Sequence, residues 1–344
     1  MTSAVPMPAE QAQVPQVLTA MTGKGRLLPV IDVTNPAFAV EDSPAAIDAL
    51  RQAYLEDERR RGNLPRFVVR LLMLVAAFRS PFLRAMMKPR TTFLDGLSTY
   101  VLKLGADNLV PPFDGPLDRR IAASPGVISV RLRMQQIARL VADALARELG
   151  TAAGQPLHLV NIGGGPAVDS LNALILLQRS ATNLLARPVV IHVLDVDRQG
   201  PQFGKSVLTV LRAPGGPLAG HDIELVHQLY DWNDAAPLDR LVRKLAADSA
   251  VIAASLEGAL FEYASDDAVL ANLRALHADG RGARFVAGSV TRADDLAQRM
   301  LAVSPYKLVP RGVATFANLA ARAGFAVESV APALLSDQVL LRPA

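Results

Sequence analysis

From Pro156 onward the chain alternates short apolar runs with stretches of helical period, and this alternation constrains the fold most. "LHLVNI", "PVVIHVLDV", "IELVHQL", "AVIAASL" and "ARFVAGSV" read as strands. Between them lie "AVDSLNALILLQRS", "GKSVLTVLRAP", "LDRLVRKLAA" and "DDAVLANLRALHA", whose apolar residues recur at helical spacing. A further helix, "ATFANLAARAGF", and two closing strands, "AVESVAP" and "SDQVLLRP", complete the series. Strands that alternate with helices call for a parallel sheet covered on both faces. The closing strand–turn–strand predicts an antiparallel edge. The expected fold is α/β: a Rossmann-like, mostly parallel seven-stranded sheet with an antiparallel edge strand.

The pattern upstream is different. From about Asp32 to Gly150 it is helical and punctuated by proline and glycine. "SPAAIDALRQAYLEDERRRG" carries Ser43 as N-cap, Pro44 at the first helical position and Gly62 as its stop. "TTFLDGLSTYVLKLG" reads as a short helix. "SVRLRMQQIARLVADALARELG" is the clearest one, with Val130, Met134, Ile137, Val141 and Ala144 on successive turns. The opening "MTSAVPMPAEQAQVPQ" lacks the basic and apolar regions of a signal peptide. The expected organisation is a disordered tail over 1–30, a helical N-terminal cap region over 31–150 and a catalytic sheet domain over 151–344. The chain is expected to be soluble and cytoplasmic. With 51% hydrophobic residues among 344, a large core is available. The absence of cysteine excludes disulfides and thiolate metal sites, and the net charge of +4 does not argue for nucleic acid.

"IGGGPA" stands where the first sheet strand ends and the next helix opens, the place where parallel sheets bind ligands. The dinucleotide fingerprint G-x-G-x-x-G fails there, because counting from Gly163 puts Val168 in its sixth place. No Gly-Lys-Ser/Thr follows, so a phosphate P-loop fails as well. A GxGxG-type corner with Ala167 in its last place fits better.

On these residues the chain resembles the class I S-adenosylmethionine (SAM)-dependent methyltransferases, from about Pro156 to its end. The resemblance implies that 151–344 is a SAM-binding domain and that SAM is the co-substrate. "VNIGGGPA" looks like the family's first motif, with Gly163, Gly164 and Gly165 cradling the amino-acid part of SAM. The family usually has an acid two places before the first glycine. Here Asn161 stands there, able to hydrogen-bond the SAM amino group directly or through water without supplying charge. In "VLDVD", Asp195 occupies the place that accepts both ribose hydroxyls, with Asp197 two residues on. In "LYDWND", Asp231 and Trp232 occupy the places that take the adenine amino group and cover the ring.

The fourth strand ends in "SLEGALFEYASDD", which the resemblance puts beneath the reactive sulfonium. Ser255, Glu257, Glu262 and Tyr263 are the polar candidates there, with Glu257 and Glu262 as bases or cation partners. Ser265, Asp266 and Asp267 read better as a helix start. The five histidines show no ligand pair at helical spacing, so no metal is expected. The favoured function is methyl transfer to a small molecule. The alternative is use of the 3-amino-3-carboxypropyl arm of SAM, by nicotianamine-synthase-like transfer or by intramolecular cyclisation, with release of methylthioadenosine. An inactive SAM-fold partner subunit is the third reading.

Many small-molecule enzymes of this family carry a helical cap over the open sheet edge, and Tyr100, Arg131 and Arg133 can project from one here. Residues 59–90 are basic throughout, with no acid between Glu58 and Asp95. "FVVRLLMLVAAF" is interrupted by Arg70 and is too short to span a bilayer. Packing on the catalytic domain accounts for this segment better than contact with a membrane surface. No nucleic-acid partner is expected, and homo-oligomerisation stays open.

Overall fold

The structure is a computed structural model and describes residues 16–61, 66–86, 96–152, 154–303 and 306–344. An antiparallel hairpin of β1 (Thr19–Met21) and β2 (Leu27–Pro29) comes first. Six helices follow: α1 (Pro44–Arg61), α2 (Arg66–Arg79), α3 (Pro81–Met86), α4 (Gly96–Lys103), α5 (Pro116–Ala122) and α6 (Pro125–Thr151). Then come β3 (Leu157–Ile162), α7 (Val168–Ser180), β4 (Val189–Asp195), α8 (Gln199–Arg212), β5 (Ile223–Leu229), α9 (Ala236–Ala247) and β6 (Val251–Leu256). The chain continues with α10 (Leu260–Tyr263), α11 (Asp266–His277), β7 (Phe285–Thr291), α12 (Asp295–Val303), α13 (Gly312–Ala321), β8 (Phe325–Ala331) and β9 (Ser336–Pro343).

The sheet has seven strands in the order β5-β4-β3-β6-β7-β9-β8. β3, β4, β5, β6 and β7 pair in parallel, while β9 runs antiparallel between β7 and β8. This is the Rossmann-like, mostly parallel sheet expected from the sequence. The antiparallel strand lies one place in from the edge rather than on it, because the chain returns from β8 into the gap beside β7. The burial pattern explains the order. Every residue of β6 and β7 is buried, whereas the edge strand β8 after Phe325 alternates exposed and half-buried.

Side-chain alternation divides the core between the two faces. Leu157, Leu159, Ile191 and Val193 pack with α6, α7 and α8. Val160, Ile162, Leu194, Ile252 and Ala254 pack with α9, α11 and α13. The first cluster also takes Ala20, Leu28, Tyr100, Leu104 and Ile137 from the N-terminal region. Hydrogen bonds fasten that region to the sheet domain. Asn172 on α7 accepts from Val33 N at 2.8 Å and donates to Ile31 O at 3.0 Å.

The expected disordered tail over 1–30 needs correction where it is described. Residues 19–29 form the hairpin, and the Tyr100 hydroxyl donates to Pro29 O at 2.6 Å and accepts from Ile31 N at 3.1 Å. Three-residue strands are too short to show a period, so tertiary packing decides this stretch. Residues 1–15 and the Gly62 stop lie outside the described residues. On α2, Leu71, Leu74, Val75 and Phe78 are exposed, so this face is not the packed surface expected of it. Among the described residues no helix is long and apolar enough to cross a membrane.

His158 and His192 meet on adjacent strands with Nδ1 and Nε2 2.8 Å apart. Only one proton fits between two such nitrogens. Burial pushes His192 down to about 4, with His158 adding to it, and burial lowers His158 as well. A base whose folded pKa is depressed contributes stability above its unfolded pKa and loses it as pH falls through the folded one. Between pH 6.5 and 4 the pair should cost the fold roughly 2 kcal/mol, with its partial exposure allowed for. Urea unfolding of wild type and His192→Gln across that range checks this. The difference between the two isolates the pair from carboxylates that titrate nearby, and parallel curves would refute it.

Candidate active site

One cavity of about 470 Å3 opens at the carboxyl ends of β3, β4, β5 and β6. Its wall on the sheet side is the glycine corner, Leu194–Asp197, Tyr230–Asn233 and Glu257–Ala259. Its other wall is α4 and α6, through Gly96, Thr99, Lys103, Val130 and Arg133. The helical cap therefore covers the open edge of the sheet, as a cap over a ligand site would.

The corner is held from both sides. Gly165 has φ +52° and donates its N–H to Asp195 Oδ2 at 2.8 Å. A Cβ on Gly165 would come within 2.8 Å of the Gly96 Cα at the start of α4. Glycine is required by backbone angle and by close approach together. Asp195 also accepts from Asp197 N at 2.8 Å, and burial pushes its carboxyl above the ordinary range. A carboxylate has about four acceptor sites, so each oxygen keeps one for a ligand. Asp197 has a different task. Its oxygens accept from Gln199 N at 3.0 Å and Gly200 N at 2.9 Å, capping α8. That cap starts α8 at Gln199, ahead of the "GKSVLTVLRAP" stretch that the sequence pattern marks.

At the end of β5, Asp231 Oδ1 accepts from Asn233 N at 3.0 Å and Asn233 Nδ2 at 2.8 Å, closing a turn. Trp232 follows on the cavity wall. Its carbonyl accepts from Asn272 Nδ2 at 2.7 Å, and Asn272 Oδ1 takes the Tyr230 hydroxyl at 2.5 Å. Asn272 thus holds the residues on both sides of Asp231, Tyr230 by its side chain and Trp232 by its backbone. Gly163, Gly164, Gly165, Asp195, Asp231 and Trp232 converge on the cavity, and so do Glu257 and Tyr263.

Three expected site residues stand behind the wall. Asn161 and Ser255 are register partners on β3 and β6, both turned toward Asp169. Asn161 Nδ2 donates to Asp169 Oδ1 and Ser170 Oγ, each at 2.9 Å, and Ser255 Oγ donates to Asp169. Asn161 is fully buried, so direct contact with a ligand's amino group needs correction to support of the corner from beneath. Ser255 is corrected in the same way. Glu262 is also behind the wall. Its carboxylate accepts from Arg133 Nη1 at 2.9 Å and from Thr291 Oγ1 at 3.2 Å.

Glu257, Glu262, Lys103 and Arg133 form one buried network. Lys103 Nζ donates to Glu257 Oε2, and Arg133 Nε donates to Glu257 Oε1 at 2.7 Å. Burial alone would raise the Glu257 pKa, but Lys103 and Arg133 outweigh it and hold the carboxyl below its ordinary range. Ion-paired on both oxygens, Glu257 is a poor base. Burial raises Glu262 despite Arg133, and the neighbouring Glu257 adds to that rise. Burial also raises the Tyr263 phenol. Burial would lower Arg133, but Glu262 and Glu257 keep it above its ordinary value.

Lys103 was not among the expected site residues, since a lone lysine in "YVLKLG" carries no motif. Arg133 was expected as a cap residue and is found in the site, whereas Arg131 turns away to donate to Phe38 O at 3.1 Å. Tyr100 reaches the wall but keeps its hydroxyl on the hairpin. Ser265 caps α11 through Ala268 N at 3.2 Å, as the helix-start reading expects.

No protein-family model matches the chain, and no curated protein matches it. Among solved structures it is similar to a Bordetella parapertussis protein described as a possible exported protein. Their identity is 17% over 88% of this chain and 100% of that one, with a TM-score of 0.54. That similarity supports the fold. An O-methyltransferase from neocarzinostatin biosynthesis, solved with SAM, is 21% identical over 56% of this chain and 50% of its own, with a TM-score of 0.35. An O-methyltransferase family protein from Burkholderia thailandensis is 15% identical over 67% of this chain and 61% of its own, with a TM-score of 0.38.

Proposed function

We propose that the protein is a SAM-dependent methyltransferase acting on a small molecule. One observation carries the reading: the glycine corner, Asp195 and the Asp231–Trp232 pair, picked out separately in the sequence, line a single cavity. Its volume lies in the small-molecule range of roughly 300–1,000 Å3. The residues fit the nucleoside. Asp195 retains acceptor sites for two ribose hydroxyls, and Trp232 offers an indole beside them. SAM, when bound, supplies an activated methyl group on a cationic sulfur. The chain's own part is to orient the acceptor under α4 and α6 and to exclude water. Glu257 is committed to Lys103 and Arg133, so it serves placement rather than proton removal.

Calorimetric titration should show binding of SAM or S-adenosylhomocysteine and none of NAD. Asp195→Ala should weaken that binding by about 1.5–3 kcal/mol, the worth of hydrogen bonds to a charged group. Asp197→Ala should act mainly on stability, through the start of α8. Tight NAD binding without SAM binding would sink the reading. Incubation with SAM and a cell extract should release S-adenosylhomocysteine. Methylthioadenosine in its place would mean that the carboxypropyl arm reacts.

A further inference from the structure

We propose that Lys103 and Arg133 form an anion-binding end of the cavity, one that takes a carboxylate or a comparable acidic oxygen of a bound small molecule. This rests on the reading of the cavity as the small-molecule site and does not depend on which nucleoside it holds.

The geometry supplies the donors. Lys103 is 5% exposed and lies on the cavity wall, yet among the described residues its ammonium donates only to Glu257 Oε2. An ammonium has three donors, so two have no acceptor there. Arg133 uses Nε on Glu257 and Nη1 on Glu262, and Nη2 has no acceptor among the described residues. Nη2 lies against Gly258, where a Cβ would overlap it, and Gly258 is also on the wall. Two cations on opposite oxygens of one carboxylate thus present unused N–H groups at the same end of one cavity.

The charge balance points the same way. The four-residue network has two cations and two carboxylates. Glu257 is held ionised, whereas burial biases Glu262 toward its neutral form. Asp169, behind the corner, is biased to neutrality by burial and by Glu257. The buried end therefore leans positive. Each cation keeps N–H donors that its carboxylate partners do not fill, and an anionic oxygen on the ligand would accept from them.

Two sources can bring that oxygen: the α-carboxylate of the nucleoside ligand, or an acidic group on the second substrate. Calorimetry on the full chain separates them with three probes. Benzoate and its neutral isostere benzamide are titrated into wild type and Lys103→Gln. S-adenosylhomocysteine is then compared with 5′-methylthioadenosine, which lacks the carboxylate arm. If the second substrate supplies the anion, wild type should prefer benzoate over benzamide by roughly tenfold or more. Lys103→Gln should erase that preference and leave both nucleosides unchanged. If the nucleoside supplies it, Lys103→Gln should weaken S-adenosylhomocysteine by roughly tenfold or more while sparing 5′-methylthioadenosine. Equal binding of benzoate and benzamide to wild type, with both nucleosides unaffected in Lys103→Gln, overturns the proposal. Should Lys103→Gln not fold, Glu257→Gln releases both cations and should tighten whichever carboxylate binds; unchanged affinity would overturn the proposal. Benzoate preference without any nucleoside binding would overturn the SAM reading and leave the anion site standing.

Discussion

Arg133→Met should destabilise the protein by about 3–5 kcal/mol, the range for removing one partner of a buried ion pair. The side chain bridges α6 to the end of β6 through Glu257 and to α10 through Glu262. Its loss leaves Glu262 with Thr291 alone and Glu257 with Lys103 alone. Both carboxyl pKa values should then rise. A raised folded-state carboxyl costs stability above its folded pKa and not below its unfolded one. The deficit should therefore shrink as pH falls from 7 toward 4. Adding Glu262→Gln should recover part of it, since the two residues share one interaction. Urea titration of the single and double variants at both pH values decides the matter. An unchanged midpoint for Arg133→Met would show that its ion pairs with Glu257 and Glu262 add nothing to the stability of the fold.

The fold was largely legible from periodicity. Parallel strands buried on both faces make near-continuous apolar runs, and β3, β4, β6 and β7 read that way, while the edge strand β5 interleaves Glu224, His227 and Gln228. Helices α7, α9 and α11 carried clear stripes between them. What local pattern could not show was the insertion of β9 between β7 and β8, because register with a distant strand leaves no local mark. The β1–β2 hairpin was hidden for a similar reason. Tyr100 holds its end at Pro29 and Asn172 holds the chain just beyond it at Ile31 and Val33, and both lie far along the chain. Helix α12 lies in a stretch that had no assigned element.

The sheet-side half of the candidate site was legible for a different reason. Strand ends in a parallel sheet all face one edge, so residues at the ends of β3, β4 and β5 must approach one another. Asp195, Asp231 and Trp232 needed only their strand positions. The far half was not legible, because it is built by contact between α4, α6 and the end of β6. Lys103 and Glu257 are 154 residues apart and meet only in three dimensions. The same contact changes Glu257 from a candidate base into an ion-pair partner. Depth was not legible for Asn161: its Nδ2 turns down to Asp169 and Ser170, beneath the corner.

Gly165→Ala is expected to have the second large effect, about 2–4 kcal/mol from left-handed strain and overpacking together. Gly165 has φ +52°, and its new methyl would come within 2.8 Å of the Gly96 Cα and 3.6 Å of the Gly96 carbonyl carbon. Both are backbone atoms, so no side chain can rotate away, and α4 or the corner must shift. Gly200 packs on the other side, where its own Cβ would come within 2.9 Å of the Gly165 Cα. Three glycines from α4, the corner and α8 thus meet at one point, with little room to yield. A shift of α4 would carry Lys103 with it, and a shift of the corner would break the Gly165 hydrogen bond to Asp195. Ligand affinity should therefore fall along with stability. Gly150→Ala is the matched control. Gly150 lies in α6 with nothing within 4 Å of its added Cβ, so alanine there should be neutral or stabilising by up to about 1 kcal/mol. Thermal unfolding and nucleoside titration of the two variants test the pair. Equal stability in both would mean that α4 does not rest on the corner, and the cavity would then lack its cap-side wall.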